Sequence, residues 1–138
     1  MREILYRAIS LCKGEHWLYG QPRHYAHNPH TEKWTIYDPT TRIETDIDEE
    51  TLGQYTGLTD VDGDKIYEGD IISVLVFQPK GEYLPREVVI EWNEERASYI
   101  GVNIKDAEES WGVHWLKKSL IVGNRWDNPS LLKGGKNG

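Results

Sequence analysis

Residues 65–77 have the sequence KIYEGDIISVLVF, which is the strongest β-strand signal in the chain. Isoleucine, valine and aromatic residues dominate this segment, and these residue types favour strands. Glu68, Gly69 and Asp70 interrupt the apolar pattern, and a glycine within a strand pattern indicates a bulge or a sharp bend. The segment therefore predicts a strand that bends midway.

Short strand patterns recur on both sides of this segment, separated by glycine, proline and aspartate turns such as Asp62-Gly63. We expect the other strands at residues 4–11, 17–20, 34–37, 51–58, 86–93, 99–104 and 120–122. One helical turn is expected at 46–50 and loops at 21–33 and 79–85, whereas 111–116 fits a strand and a helical turn equally well. Many short strands at close spacing are typical of a small barrel or sandwich, so the sequence predicts a mainly β protein.

Length and composition exclude several classes of protein. A chain of 138 residues buries enough surface to fold without a metal or disulfide, and Cys12 is its single cysteine. No apolar run approaches the ~18 residues of a membrane-spanning helix. Charged residues among the first eleven positions do not resemble a secretion signal. We therefore expect a cytoplasmic protein with no membrane association.

The net charge of −7 arises from one segment. Residues 1–42 carry +2, residues 43–70 carry −9, and residues 71–138 are neutral. Duplex DNA binding requires clustered lysine and arginine, whereas the densest basic stretch here is Lys117-Lys118. The charge pattern disfavours duplex DNA as a partner, although a basic patch assembled in three dimensions stays open. The acidic segment is interpreted as a solvated face.

Three histidines, His24, His27 and His30, form the weak candidate for a metal site. Imidazole suits zinc or copper, but Asn28-Pro29 breaks any helix that would align the three rings. The aspartates at 60, 62 and 64 lack the glycine and glutamate that a calcium loop needs at its sixth and twelfth positions. We therefore expect no metal and no cofactor.

Aromatic residues supply the candidate binding surface. The chain has six Trp and eight Tyr against one Phe. The second half contains Trp92, Tyr99, Trp111 and Trp115, which could form a stacking platform for bases or an anchor for a protein partner. Core packing and a subunit interface are the more ordinary roles for the same rings. Because phosphate loops, dinucleotide motifs and nucleophile–base patterns are missing, we expect no enzymatic activity.

The middle of the chain contains three motifs, which are residues 48–58 (DEETLGQYTGL), Asp62-Gly63 and residues 66–72 (IYEGDII). These motifs resemble those of the YopX family of phage and prophage proteins. Further similarities lie at residues 17–20, at residues 121–124, at Asn128-Pro129 and at Leu131-Leu132. The resemblance implies a bacteriophage or prophage origin. It also implies that glycines at 53, 57, 69 and 123 mark bends of the fold.

The resemblance further implies an SH3-like barrel built from about Gly69 onward, with N-terminal strands packed against it. We expect an N-terminal β lobe at 1–68 and the barrel lobe at 69–132, sharing one core as effectively a single domain. A disordered tail is expected at 133–138. The family supplies no established activity, so no catalytic residue is transferred to this chain.

These observations together predict a non-enzymatic phage accessory protein. It would act in the host cytoplasm as a β-barrel interaction module, self-associating through Trp and Tyr side chains and binding a host or phage protein. The alternative is a nucleic-acid-associated barrel that uses the aromatic residues of the second half. A hydrolase or metal-dependent enzyme is the third and weakest hypothesis.

Overall fold

The computed structural model describes residues 3–26 and 32–133, in which the chain is mainly β. This confirms the predicted class. The predicted disordered tail at 133–138 lies outside the described residues except for the backbone of Lys133. Two compact units are present, residues 1–55 and 56–138. The expected lobes at 1–68 and 69–132 stay a prediction.

The first unit contains an antiparallel sheet that begins with a hairpin of the two strands predicted at 4–11 and 17–20. Its strands are β1 (Tyr6–Ile9), β2 (Trp17–Tyr25), β3 (Lys33–Asp38), β4 (Ile43–Asp46) and the start of β5 (Gly53–Thr59). β1 pairs with β2 and places Ala8 opposite Leu18. The strand order is β4-β3-β2-β1-β5.

A small apolar core and one 3-10 helix complete the first unit. The buried core residues are Ala8, Ile36 and Ile47. The helix spans Glu49–Thr51, and the Asp48 carboxylate accepts the Glu50 N–H at 3.1 Å, as expected for a helix N-cap. This confirms the predicted helical turn, displaced toward the C-terminus.

The second unit contains the sheet that carries the candidate site. After β6 (Lys65–Tyr67), which lies beside the later part of β5, its five strands are β7 (Asp70–Phe77), β8 (Tyr83–Asn93), β9 (Ser98–Asn103), β10 (Ser110–Gly112) and β11 (Leu116–Asn124). A 3-10 helix at Val113–Trp115 precedes β11, and α1 (Pro129–Lys133) follows it. Residues 111–116 thus contain both of the structures that the sequence left open.

The five-stranded sheet is antiparallel and open. Its order is β10-β9-β8-β7-β11, so β10 and β11 are edge strands and the described residues form no closed barrel. One face of β7 and β8 builds the core, because alternate residues of a strand point to the same side. The buried core residues are Ile66, Ile72, Val74, Val76, Val88, Ile90 and Tyr99.

The predicted loop at 21–33 is wrong for residues 21–25, because β2 continues through Pro22 to Tyr25. Pro22 lies opposite Ile36 of β3. The pairing of β2 with β1 ends at Gly20, so β2 has a neighbour on one side only at Pro22. A proline, which lacks the N–H group, is tolerated where one side of the strand needs no ladder hydrogen bond.

The predicted loop at 79–85 also ends early, because β8 begins at Tyr83. Pro85 lies opposite Leu75 of β7, whereas the pairing of β8 with β9 begins only at Val88. At Pro85, as at Pro22 of β2, the strand has a neighbour on one side only, so a residue without an N–H group is tolerated. The connection between β7 and β8 is therefore a short turn.

Candidate functional site

The structure separates the four aromatic candidates into a buried and an exposed pair. Tyr99 is buried in the core of the second unit, and the partly buried Trp111 packs against the same core. Trp92 is 42% exposed and Trp115 is 53% exposed. The Trp92 ring meets Tyr99 edge-on, with 5.1 Å between the centroids. The four rings therefore do not form one continuous platform.

Trp111 and Trp115 belong to an apolar depression that we call the aromatic cleft. It has a volume of about 290 Å³ and is lined by Val76, Phe77, Pro79, Trp111 and Trp115. Its lining comes from the end of β7, the β7–β8 turn, β10 and the 3-10 helix before β11. Apolar concave sites of this kind bind ligands by excluding water.

Hydrogen bonds fix both sides of the aromatic cleft. In the β7–β8 turn, the Gln78 N–H donates to the Glu82 carbonyl at 2.7 Å, and the Gly81 N–H donates to the Gln78 carbonyl at 2.9 Å. On the other side, the Leu116 N–H donates to the Val113 carbonyl and closes the 3-10 helix. Leu116 then pairs with Val76 of β7. The cleft is thus held between ordered backbone elements.

Phe77, Pro79 and Tyr83 are members of this region that the sequence analysis missed. Phe77 and Tyr83 are opposite each other across the β7–β8 turn, and their rings meet edge-on at 5.2 Å. Phe77 is 46% exposed and Tyr83 is 50% exposed. The sequence signals only Phe77, which is the single phenylalanine and ends the predicted strand at 65–77.

Basic residues outnumber acidic ones in the segments that flank the aromatic cleft. Lys80 follows Pro79, and Lys117 and Lys118 follow Trp115 by two and three residues, whereas Glu82 is the acidic residue of the β7–β8 turn. All four are exposed. None of these three lysines forms an ion pair within the part of the chain that the structure describes.

A second, polar cavity of about 460 Å³ lies in the same unit. It is lined by Ser73, Pro85, Arg86, Glu87, Asn103, Ile104, Lys105 and Glu109. The Asn103 side-chain amide donates to Glu109 Oε1 at 2.8 Å, and its carbonyl accepts the Lys105 N–H at 2.9 Å. The lining mixes two cations with two anions, so its charge selects no single class of ligand.

The histidine candidate is only partly described. His24 Nε2 lies 2.7 Å from Glu32 Oε1, and its ring stacks on Trp34 with 4.3 Å between the centroids. His27 and His30 lie outside the described residues. His24 therefore takes part in a surface pair with Glu32 and Trp34.

A hydrogen-bonded cluster centred on Glu44 in the first unit was not foreseen. The hydroxyl groups of Thr35 and Tyr25 each donate to Glu44 Oε2 at 2.6 Å, and Arg23 lies 3.1 Å from Oε1. The Thr35 hydroxyl, then the Tyr25 hydroxyl and Arg23, hold the pKa of Glu44 below its usual value despite partial desolvation. This cluster links β2, β3 and β4 and is interpreted as structural.

The carboxylate oxygens of Asp60, Asp62 and Asp64 lie within 4.8 Å of one another. They form a turn: Asp60 Oδ1 accepts the N–H groups of Asp62 and Asp64 at 2.9 and 3.0 Å. Burial raises the pKa of Asp60, but these N–H groups and those of Ile121 and Gly63 outweigh burial and lower it. The predicted turn is confirmed, and its buried carboxylate is engaged by backbone donors.

The bend at Gly69 explains the IYEGD motif. Gly69 has φ = 92°, a conformation that favours glycine, and a Cβ atom there would overlap the Trp126 ring. Next to it, Asp70 is 1% exposed and accepts the Tyr67 N–H at 2.7 Å. The predicted bend is confirmed, and the motif residues shape the backbone.

The last motif of the chain, which comprises residues 121–124 and Asn128-Pro129, also shapes a turn. Asn124 Oδ1 accepts the N–H groups of Trp126 and Asp127 at 3.1 and 2.9 Å, and its amide donates to the Asp127 carboxylate at 3.1 Å. Asn128 Oδ1 accepts the Asn124 N–H at 3.1 Å and occupies the space that a side chain at Gly123 would need. These asparagines direct the chain from β11 into α1.

Cys12 lies exposed in the turn between β1 and β2. Its backbone N–H donates to the Ser10 hydroxyl at 2.9 Å. Within the described ranges, the structure contains no helix long and apolar enough to cross a membrane.

The fold and its motifs define a class of protein: a mainly β chain whose recurrent glycine, aspartate and asparagine motifs form turns, and whose exposed cleft is apolar. The family described as YopX protein matches residues 5–133, so the chain belongs to the YopX family. No curated protein matches this chain.

Proposed function

We propose that this YopX-family chain is a non-enzymatic interaction module that binds proteins through the aromatic cleft. The observation that carries the proposal is the exposure of Trp115 and Phe77 beside a formed apolar depression. Tryptophan and tyrosine are enriched among the residues that dominate binding energy at protein interfaces. An exposed apolar patch on a folded domain commonly marks an interaction site.

The proposed module has an SH3-like arrangement of strands. Support comes from the connectivity of the second unit, in which four strands follow one another as β7-β8-β9-β10 and the last strand, β11, returns to pair with the first. A 3-10 helix immediately before β11 is the second point of similarity. The arrangement is an open sheet with this strand order.

The chemistry of the motifs supports a binding role over catalysis. The carboxylates of Asp60 and Asp70 and the amide of Asn124 accept backbone N–H groups, so these polar groups stabilise turns. Apolar side chains line the cleft and offer contact area in place of ionisable groups. Phage or prophage origin and residence in the host cytoplasm remain part of the proposal, as the resemblance implies them.

Self-association through the same region is part of the proposal. The second unit exposes several large apolar side chains. Covering half-exposed aromatic rings with a second surface removes them from water and lowers the free energy. The exposed side chains include Phe77, Tyr83, Trp92, Trp115, Leu120 and Val122.

Single-stranded nucleic acid is the alternative partner. It is favoured by one specific observation, the exposure of Trp115 within three residues of Lys117 and Lys118. Bases stack on aromatic side chains while cations contact the phosphates. The acidic net charge of −7 weighs against this alternative.

Site-specific photocross-linking tests the proposed function. The photoreactive residue p-benzoylphenylalanine replaces Phe77 in one variant and Arg96, in the exposed β8–β9 turn, in the control. We expect protein adducts from position 77 in lysogenic host cells, reduced when Trp115→Ala is added. Adducts to nucleic acid alone, equal adducts from both positions, or none from position 77 would refute protein binding at the cleft.

A further inference from the structure

The first unit contains a cavity with apolar walls and two carboxylates, Glu15 and Asp38, which we call the acidic pocket. We propose that the acidic pocket binds a lysine side chain of a partner protein. The inference goes beyond the proposed function, because the acidic pocket lies in the first unit and the aromatic cleft in the second.

Strand pairing brings most of the lining residues together. In the pairing of β3 with β4, Ile36 lies opposite Thr45 and Asp38 lies opposite Ile43. Opposite residues, and residues two apart along one strand, share a face of the sheet, so these four side chains lie on one face. Leu18 of β2 also lines the cavity, which has a volume of about 200 Å³.

The apolar part of the acidic pocket is continuous with the core of the first unit. Ile36 is 2% exposed, and the partly buried Leu18 packs against the same core. A lysine side chain combines a long aliphatic stem with a charged end. Its stem can therefore contact Leu18 and Ile36 while its ammonium group reaches the carboxylates.

Glu15 and Asp38 supply the charge of the acidic pocket. Glu15 comes from the β1–β2 turn and Asp38 from the end of β3, and no Lys, Arg or His is among the described lining residues. Lys13 and Arg42 lie in the turns next to them, but neither forms an ion pair in the described part of the chain. The pocket thus contains two anionic groups and no cationic one.

These two carboxylates differ from others of the same unit. Glu44 and Asp46 have cationic partners at 3.1 and 3.2 Å. By contrast, the carboxylate of Glu15 and Oδ2 of Asp38 have no hydrogen-bond or ion-pair partner within residues 3–26 and 32–133. Charges beside apolar surface attract each other more strongly than in bulk water. The free oxygens are therefore available to a cation from another molecule.

The acceptors of the pocket favour lysine over arginine. Arginine binds a carboxylate best through two parallel hydrogen bonds, which need both oxygens. One oxygen of Asp38, Oδ1, already accepts the Thr40 N–H at 2.8 Å. An ammonium group has three separate donors, and Asp38, Glu15 and Thr45 offer acceptors from three different elements.

The rim of the pocket favours a polypeptide over a free amine. Ile43 belongs to the lining and is 61% exposed. Residues on either side of a bound lysine would cover this side chain and bury apolar area. A small amine would leave Ile43 in contact with water.

Amide NMR spectra of the nitrogen-15-labelled full chain test the proposal by titration. The probe is the capped pentapeptide Ala-Val-Lys-Val-Ala. One matched peptide contains acetyl-lysine, which keeps the stem without the charge, and another contains arginine in place of lysine. We expect the lysine peptide to shift the signals of the lining residues. It should bind about tenfold more tightly than the acetyl-lysine peptide and severalfold more tightly than the arginine peptide.

Variants locate the binding site. Asp38→Asn is expected to weaken binding of the lysine peptide by about tenfold, because the amide keeps an acceptor for the Thr40 N–H but loses the charge. Glu15→Gln is expected to weaken it severalfold, since Glu15 is exposed. Glu50→Gln is the matched control, because it removes one negative charge from an exposed residue outside the lining. Circular dichroism confirms that each variant is folded.

Four results would overturn the proposal. Equal binding of the lysine and acetyl-lysine peptides would exclude recognition of charge. Equal weakening by Glu50→Gln and Asp38→Asn would indicate general electrostatic attraction in place of a site. Binding of the free diamine putrescine as tightly as the lysine peptide would assign the pocket to a small amine. Shifts of the lining signals when the chain alone is concentrated would assign it to a second copy of the chain.

Discussion

The carboxylate of Asp60 accepts a hydrogen bond from the backbone N–H of Ile121 at 3.1 Å, across 61 positions of sequence. Beside it, the Val61 N–H donates to the Ser119 carbonyl at 2.8 Å. These two hydrogen bonds connect the turn at 60–63 to the edge strand β11. One buried carboxylate both shapes its own turn and satisfies a backbone donor of a distant strand.

Asp60→Ala is predicted to destabilise the protein by about 2–4 kcal/mol, because several backbone N–H groups lose a charged acceptor in a buried setting. The comparison variant is Asp62→Ala, whose side chain is exposed in the same turn. Urea denaturation measures both free energies of unfolding. Similar losses in the two variants would show that the link to β11 contributes little.

Acid is predicted to remove the contribution of Asp60. Its pKa is lowered in the folded state, so its charge stabilises the fold above the ordinary carboxyl pKa of about 3.8–3.9, and this contribution is lost as pH falls through the folded value. The difference in Tm between the native chain and Asp60→Asn should therefore shrink from pH 7 toward pH 2. Scanning calorimetry across this range is the measurement, and a difference that grows in acid would contradict the assignment.

Gly69→Ala is predicted to destabilise the second unit by about 2–4 kcal/mol, combining backbone strain at positive φ with displacement of the Trp126 ring. Gly81→Ala is the matched control, because Gly81 has φ = 89° but open space where a Cβ would lie. The control should lose only about 1 kcal/mol. Equal losses in thermal or chemical denaturation would exclude a role for Trp126.

Asn124→Ala is predicted to cost about 1–3 kcal/mol, since Trp126 and Asp127 lose their common acceptor at a buried position. Asn93→Ala serves as the control, because Asn93 accepts one backbone N–H at the exposed β8–β9 turn. Urea denaturation compares the two. An equal effect would mean that burial at Asn124 adds nothing to the value of its hydrogen bonds.

Self-association is predicted to appear as a mass above the 16.0 kDa of one chain in light scattering. The Phe77→Ser substitution should lower the average mass, because it removes an exposed aromatic ring from the proposed surface. The exposed Ile43 of the first unit provides the control, Ile43→Ser. A clean monomer of the native chain at high micromolar concentration would exclude self-association by this surface.

Local chemistry made the turns predictable. Gly69 interrupts an apolar strand, and Asp62-Gly63 supplies residues that suit a tight turn, so both features follow from neighbouring residues alone. The first hairpin is predictable for the same reason, because Lys13-Gly14 separates two apolar segments. These signals need no knowledge of the rest of the fold.

The strand extent and the cleft depend on neighbours that are distant in sequence. Pro22 and Pro85 indicate loops locally, yet each lies where its strand has one neighbour, and only the sheet order reveals this. Likewise, Trp111 and Trp115 are both isolated tryptophans in the sequence, but Trp111 lies opposite Gly101 of β9 and packs on the core, whereas Trp115 lies in the 3-10 helix before β11 and remains exposed.

The fastening of the 60–63 turn to β11 also limits how copies of the chain can assemble. Because Val61 and Asp60 occupy the Ser119 carbonyl and the Ile121 N–H, another polypeptide cannot extend the sheet by pairing its backbone at those positions. Contacts between copies at those positions must therefore form through side chains, and such contacts separate again on dilution more readily than a continuous cross-chain ladder.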